Sequence, residues 1–195
     1  MRNTIEGLVR WLRYNLMYLG NPPWDTGITP PELIQFIRDH RPGKAIDLGC
    51  GTGTNLVALS KAGWQVTGVD YVPRAAEASR RRLAHEGFKG DVRTGDITSL
   101  ENVRGGYNFV LDIGCYHGLP SASRAAYRSN LFQILLPDGC FLIYAHWAKE
   151  NQSGGIGIVK EDLAEFLNFL ELEGRQDSQD RWGRQATWIR FRKKG

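Results

Sequence analysis

The segment Ile46-Asp47-Leu48-Gly49-Cys50-Gly51-Thr52-Gly53-Thr54 constrains this chain more than any other. Three glycines at alternate positions follow an apolar run, Lys44 to Leu48, and precede Asn55 to Lys61, whose Leu56, Val57 and Leu59 suit a helix. Strand, bare turn and helix start in that order leave backbone N–H groups uncovered at the positive end of a helix, with no side chain to keep a ligand away. Asp70 closes the next strand-like run, Trp64 to Val69, about 20 residues beyond Gly49, where a carboxylate accepts hydrogen bonds from ribose hydroxyls. A nucleotide-like ligand fits both features. The dinucleotide fingerprint needs its third glycine at position 54, but Thr54 stands there and an acid, Asp47, precedes the set, so the loop is wrong for a pyrophosphate.

From residue 44 onward strand-like and helical runs alternate, the signature of a mostly parallel sheet with helices on both faces. Pro73 opens a helix to about His85, and Asp91 to Thr94 and Tyr107 to Leu111 read as the third and fourth strands. A helix from Ser121, which can cap it, runs to Leu135 and stops at Pro137-Asp138-Gly139, before the apolar strand Cys140 to Tyr144. Glu161 to Leu172 has helical spacing, and Arg175 to Arg181 and Ala186 to Phe191 read as a closing hairpin. The expectation is a single α/β domain with a Rossmann-like, seven-stranded, mostly parallel sheet and an antiparallel C-terminal hairpin, residues 30–195 forming the core. Ahead of it, Ile5, Leu8, Val9, Leu12, Leu16 and Leu19 mark an amphipathic helix within a lead-in segment, residues 1–29. With Trp11, Tyr14 and Tyr18 that helix has the position of a lid over the crevice.

The totals exclude several classes. A chain of 195 residues with 42% hydrophobic residues and six Trp is neither disordered nor low-complexity. Arg10 and Arg13 make the first helix too polar for a signal peptide or a membrane span, so neither a membrane nor an export role is expected. Cys50, Cys115 and Cys140 are widely spaced, with no metal-ligand pattern and no disulfide framework, so no metal is expected and a reducing cytoplasm is the default. The net charge of +4 concentrates in Arg80-Arg81-Arg82 and in the tail Arg190, Arg192, Lys193 and Lys194. Neither cluster interleaves aromatics, so they read as solvated surfaces and nucleic acid is not an expected partner.

With these residues the chain resembles the class I S-adenosylmethionine-dependent methyltransferases, whose first motif is acid-x-Gly-x-Gly-x-Gly and whose second is an acid ending strand two. The resemblance covers nearly the whole chain. It implies that Gly49, Cys50, Gly51 and Gly53 line the S-adenosyl-L-methionine site, with Asp47 near the amino-acid end, Asp70 on the ribose and Tyr71 beside the adenine. Gly95-Asp96-Ile97 looks like the third motif, Asp96 accepting from the adenine amino group and Ile97 packing on the ring, and Leu135 to Cys140 looks like the turn before strand five. Pro23-Trp24-Asp25-Thr26-Gly27 is similar to the lead-in of the thiopurine, halide/thiol and tellurite-resistance group, which implies that Trp24 faces the cofactor's methionine end and Ile113 touches it from strand four. A sulfonium on an aromatic face gains about 0.5–2 kcal/mol. Asn21-Pro22-Pro23-Trp24 also has the form of an amino-methylating tetrapeptide, but that motif belongs after strand four, where Asp112-Ile113-Gly114-Cys115 stands.

Ligands of open α/β sheets sit outside the carboxyl ends of the strands. There the fourth strand ends in Asp112-Ile113-Gly114-Cys115-Tyr116-His117 and the fifth in Ala145-His146-Trp147. Tyr116, His117 and His146 are the candidate transfer residues. Either histidine suits a general base, or equally a satisfied buried histidine, while Cys115 reads as packing. The implied activity is methyl transfer to a small-molecule acceptor. A non-catalytic cofactor-binding module and an RNA- or protein-methylating enzyme are the alternatives.

Overall fold

The structure is a computed structural model and describes residues 5–20, 22–100, 103–149, 156–180 and 182–195. Asn21 and Arg181, and the side chains of Ile5 and Arg10, all used in the sequence reading, lie outside the described residues. The chain divides into two compact units, Met1–Leu100 and Glu101–Gly195.

The first unit runs α1 (Ile5–Met17), α2 (Pro31–Asp39), β1 (Lys44–Leu48), α3 (Thr54–Lys61), β2 (Gln65–Asp70), α4 (Pro73–His85) and β3 (Asp91–Thr94). Its strands lie parallel in the order β3-β2-β1, with Asp47 level with Gly68 and Asp70 level with Thr94. Prolines at the first position start α2 and α4, where the missing N–H costs nothing. Leu33 and Phe36 bury one face of α2, and His40 stacks on Phe36 as the helix ends. β1 and β2 are buried almost along their length, as central parallel strands are.

The second unit runs β4 (Tyr107–Ile113), a 3-10 turn (Tyr116–Gly118), α5 (Ser121–Ile134), β5 (Leu135–His146), α6 (Lys160–Leu167), β6 (Leu170–Gln179) and β7 (Gln185–Lys193). Its strand order is β4-β5-β7-β6, with β4 and β5 parallel and β7 antiparallel to both neighbours. The seven strands and the closing hairpin are those read from the sequence.

Three expectations change. The helix expected to Leu172 ends at Leu167, and Leu170 and Leu172 instead open β6, paired with Lys193 and Phe191. The helical spacing is real, but a ladder with β7 satisfies that backbone and overrides it. β5 begins at Leu135 rather than Cys140; Pro137 to Gly139 form an irregularity inside the strand, with Asp138 at φ 58° and the register slipping between Tyr107 and Phe109. Ser121 is the first residue of α5, not its cap: Pro120 stands at that position and no side chain caps the helix.

Candidate functional site

Positive φ values at Gly49, Gly51 and Gly53 (88°, 52° and 86°) fold the chain sharply between β1 and α3, a conformation other residues adopt only under strain. Gly51 and Gly53 give different neighbours room. A Cβ on Gly53 would sit 2.5 Å from Ser79 Oγ, so this bare position lets α3 and α4 pack closely. A Cβ on Gly51 would sit 3.2 Å from the Tyr18 hydroxyl. Gly68 on β2, which the sequence reading passed over, makes room for Leu56 and for the Cys50 thiol, 2.8 Å from its Cβ position. Cys50 is buried and its thiol is pushed up by burial and by Asp70 and Asp47, so it fills space as a neutral side chain.

Asp70 holds this turn. Its Oδ2 accepts the Gly51 N–H at 2.8 Å and its Oδ1 accepts the Val72 N–H at 2.8 Å. Burial raises its pKa to about 6 against the pull of those two amides. Each oxygen carries a second lone pair, which suits it to ribose hydroxyls. Asp47 is buried at the carboxyl end of β1. Asp96 is half-buried and caps its own loop, Oδ1 accepting the Thr98 N–H and hydroxyl, and Ile97 beside it is buried. Tyr71 is half-buried, and its hydroxyl donates to the Gly7 carbonyl of α1 at 3.4 Å.

The lead-in segment is tied to the same turn. Thr52 Oγ1 donates to Asp25 at 2.9 Å. Trp24 is 47% exposed, donates to the Tyr18 hydroxyl at 3.3 Å and stands edge-on to Tyr14 and Tyr18. The helix therefore turns its aromatic face toward the glycine turn, while Leu8, Val9, Leu12, Leu16 and Leu19 are exposed. A cleft of about 570 Å³ opens beside it, lined among others by Tyr18, Asp25, Thr52 and Arg74.

In the second unit the turn after β4 is also held by a carboxylate. Asp112 is fully buried and accepts the Cys115 and Tyr116 amides and the Tyr127 hydroxyl, the last at 2.7 Å. Burial still raises its pKa to about 6. Tyr116 corrects the sequence reading. Its ring is fully buried against Tyr127 and Phe166, and its hydroxyl donates to Asp162 while accepting from Arg128. Burial and Asp162 push that hydroxyl well above its ordinary pKa, so Tyr116 is a structural tie and not a transfer residue. Arg124 completes the cluster, bonding Asp162 and the Gly157 carbonyl.

His117 and His146 do meet, with ring centroids 4.6 Å apart. The His146 backbone N–H donates to His117 Nδ1 at 3.1 Å. Burial, then His146, Arg184 and Arg124, pull His117 down to about 3. His146 Nε2 faces Asp180 and the Tyr144 hydroxyl, each at 3.3 Å, while its Nδ1 is enclosed. Asp180 was not legible as a partner, since a contact between residues so far apart leaves no local pattern. Ile113 is half-buried at the last position of β4. Among the described residues no three metal-ligating side chains converge, and no helix is long and apolar enough to cross a membrane.

Residues 45–139 match the methyltransferase-domain family. The chain is 44% identical over 70 residues to the ribosomal RNA small subunit methyltransferase C of Alcanivorax borkumensis, a stretch that is 34% of this chain and only 22% of that enzyme. Solved structures share the fold. The 1,6-didemethyltoxoflavin N1-methyltransferase of Burkholderia thailandensis, with its acceptor and S-adenosylhomocysteine bound, superposes with a TM-score of 0.77 at 20% identity, over 98% of this chain and 91% of that one. TehB of Haemophilus influenzae gives 0.75 at 20% identity, over 91% and 66%. The glycine turn, the acid from the next strand that braces it and the Asp-Ile loop after β3 all lie within the stretch that matches the methyltransferase-domain family, and the fold is that of these solved methyltransferases.

Proposed function

We propose that the protein transfers the methyl group of S-adenosylmethionine to a small-molecule acceptor through a sulfur, selenium, nitrogen or oxygen atom. One observation carries the small-molecule part: the likeness to the toxoflavin-precursor methyltransferase runs through nine-tenths or more of both chains, whereas the match to the ribosomal RNA enzyme ends at about a fifth of that protein.

The residues fit the cofactor. Asp70 has lone pairs left for the two ribose hydroxyls, and Asp96 with Ile97 offers a carboxylate and an apolar surface for adenine. Asp47 stands toward the amino-acid end. The half-exposed ring of Trp24 would supply an aromatic face for the sulfonium. When bound, the cofactor supplies an electrophilic methyl on a cationic sulfur. The chain's work is then alignment and exclusion of water, which the tied lead-in segment supports. A histidine that takes a proton only near pH 3 is a weak base, so the acceptor arrives with its lone pair already available.

Calorimetry with S-adenosylmethionine and S-adenosylhomocysteine, followed by a screen of thiols, amines and phenols read by product mass, tests this. Binding without any methylated product would instead favour a cofactor-sensing module. The 44% identity to the ribosomal RNA enzyme favours a second reading, an RNA acceptor. Against it, the basic tail is engaged within the fold: Arg190 and Arg192 pair with Glu173, and Lys193 and Lys194 donate to the Phe132, Leu135 and Leu167 carbonyls. RNA binding with affinity falling steeply as salt rises would favour that reading.

A further inference from the structure

We propose that His117 is a hydrogen-bond donor to the methyl acceptor, held in one tautomer, and that the acceptor therefore presents to it an unprotonated oxygen or nitrogen or an anionic sulfur or selenium. The proposal rests on the small-molecule reading above and names the chemistry of the molecule that reading requires.

A backbone N–H cannot change from donor to acceptor. The His146 amide points at His117 Nδ1, so that nitrogen must keep its lone pair and the ring's single proton sits on Nε2. Adding a second proton would set two donors against each other in a place nine-tenths closed to water. The charged groups around the ring act the same way. Arg124 reaches the His117 carbonyl, Arg184 lies nearby, and the acid beside His146, Asp180, is taken up by Arg184 and by Nε2 of His146. Among the described residues nothing accepts from His117 Nε2. That ring edge lies against Gly114, the first residue after β4, with Cε1 3.2 Å and Nε2 3.9 Å from where a Cβ would stand. Gly114, at φ 87°, sets no side chain against that edge, at the strand end where open α/β sheets receive their ligands. The result is a neutral imidazole that gives a proton-bearing nitrogen to the acceptor and takes none from it.

Two amide variants separate this role from a purely structural one. In His117→Asn the side-chain oxygen falls near Nδ1 and can accept the His146 amide, but nothing replaces the Nε2 donor. In His117→Gln the amide nitrogen falls near Nε2 and restores the donor alone. With the thiol, amine and phenol panel, the Gln variant is expected to stay within about 3-fold of the parent in kcat/KM, and the Asn variant to lose about 10- to 100-fold, mostly through KM. Nitrogen NMR of the unliganded protein is expected to show the ring neutral and protonated on Nε2 from pH 5 to 8. An Nδ1-protonated or charged ring at pH 7 overturns the proposal, as does an Asn variant that works while the Gln variant fails. A panel without any product sinks the small-molecule reading, while the ring's tautomer is still read directly and decides the inference separately.

Discussion

The turns after β1 and β4 use one device to opposite ends. Each leaves the carboxyl end of a parallel strand, bends at a glycine with positive φ, and is held by a buried aspartate that accepts two backbone amides. Asp70, reaching across from β2, stops at those two amides and keeps acceptor capacity for a ligand. Asp112, on β4 itself, also takes the Tyr127 hydroxyl and is sealed, its turn locked further by Tyr116 into the Asp162, Arg124 and Arg128 cluster. A carboxylate in a strand-end turn is therefore a binding group only if the fold leaves its lone pairs unspent.

The largest test of this contrast is Asp112→Ala. It strips the partner from two amides and a hydroxyl in a dry interior and is expected to lower unfolding stability by about 3–5 kcal/mol in a urea titration, with little change in cofactor affinity for whatever remains folded. Asp70→Ala should do the reverse in emphasis, weakening S-adenosylmethionine by about 30- to 150-fold in calorimetry. Because the carboxylate form accepts both hydroxyls and Asp70 titrates at about 6, affinity of the parent protein should fall as pH drops from 7 to 5. The Asp70→Asn variant should show no such fall. Equal cofactor losses at Asp70 and Asp112 would erase the distinction.

The third test concerns the sealed turn alone. His117 is held to about 3 in the fold against about 6.5 unfolded, so the unfolded chain binds the extra proton first as pH falls. Its contribution to stability is complete above pH 6.5 and is lost as pH falls toward 3, by up to about 1.4 kcal/mol per pH unit. Asp70 and Asp112 are raised instead, so their contribution is present below about 4 and lost as pH rises through 6, with opposite sign. Comparing denaturation of the parent and of His117→Asn between pH 4 and 7 removes the shared aspartate part, and the parent should lose stability relative to the variant as pH falls, by up to about 1.4 kcal/mol per pH unit. The smallest effect is Trp24→Ala. Loss of the ring should weaken S-adenosylmethionine by about 1 kcal/mol more than S-adenosylhomocysteine, since only the former carries the sulfonium.

What was legible in the chain was what is local. The glycines at 49, 51 and 53, the acids at 47, 70 and 96 and the alternation of strands and helices all follow from spacings within a few tens of residues, because turn geometry and hydrophobic period are written in neighbouring positions. The structure had to decide the rest. Leu170 shares a helical period with Leu163 and Phe166, yet β7 was there to pair with it. Tyr116 looked like a residue of the transfer site until Asp162 and Arg128 claimed its hydroxyl. His117 and His146 looked interchangeable until a single amide distinguished them. A side chain's chemistry depends on which donors and acceptors surround it, and those come from residues 12 to 46 positions away, brought near only once the chain has folded.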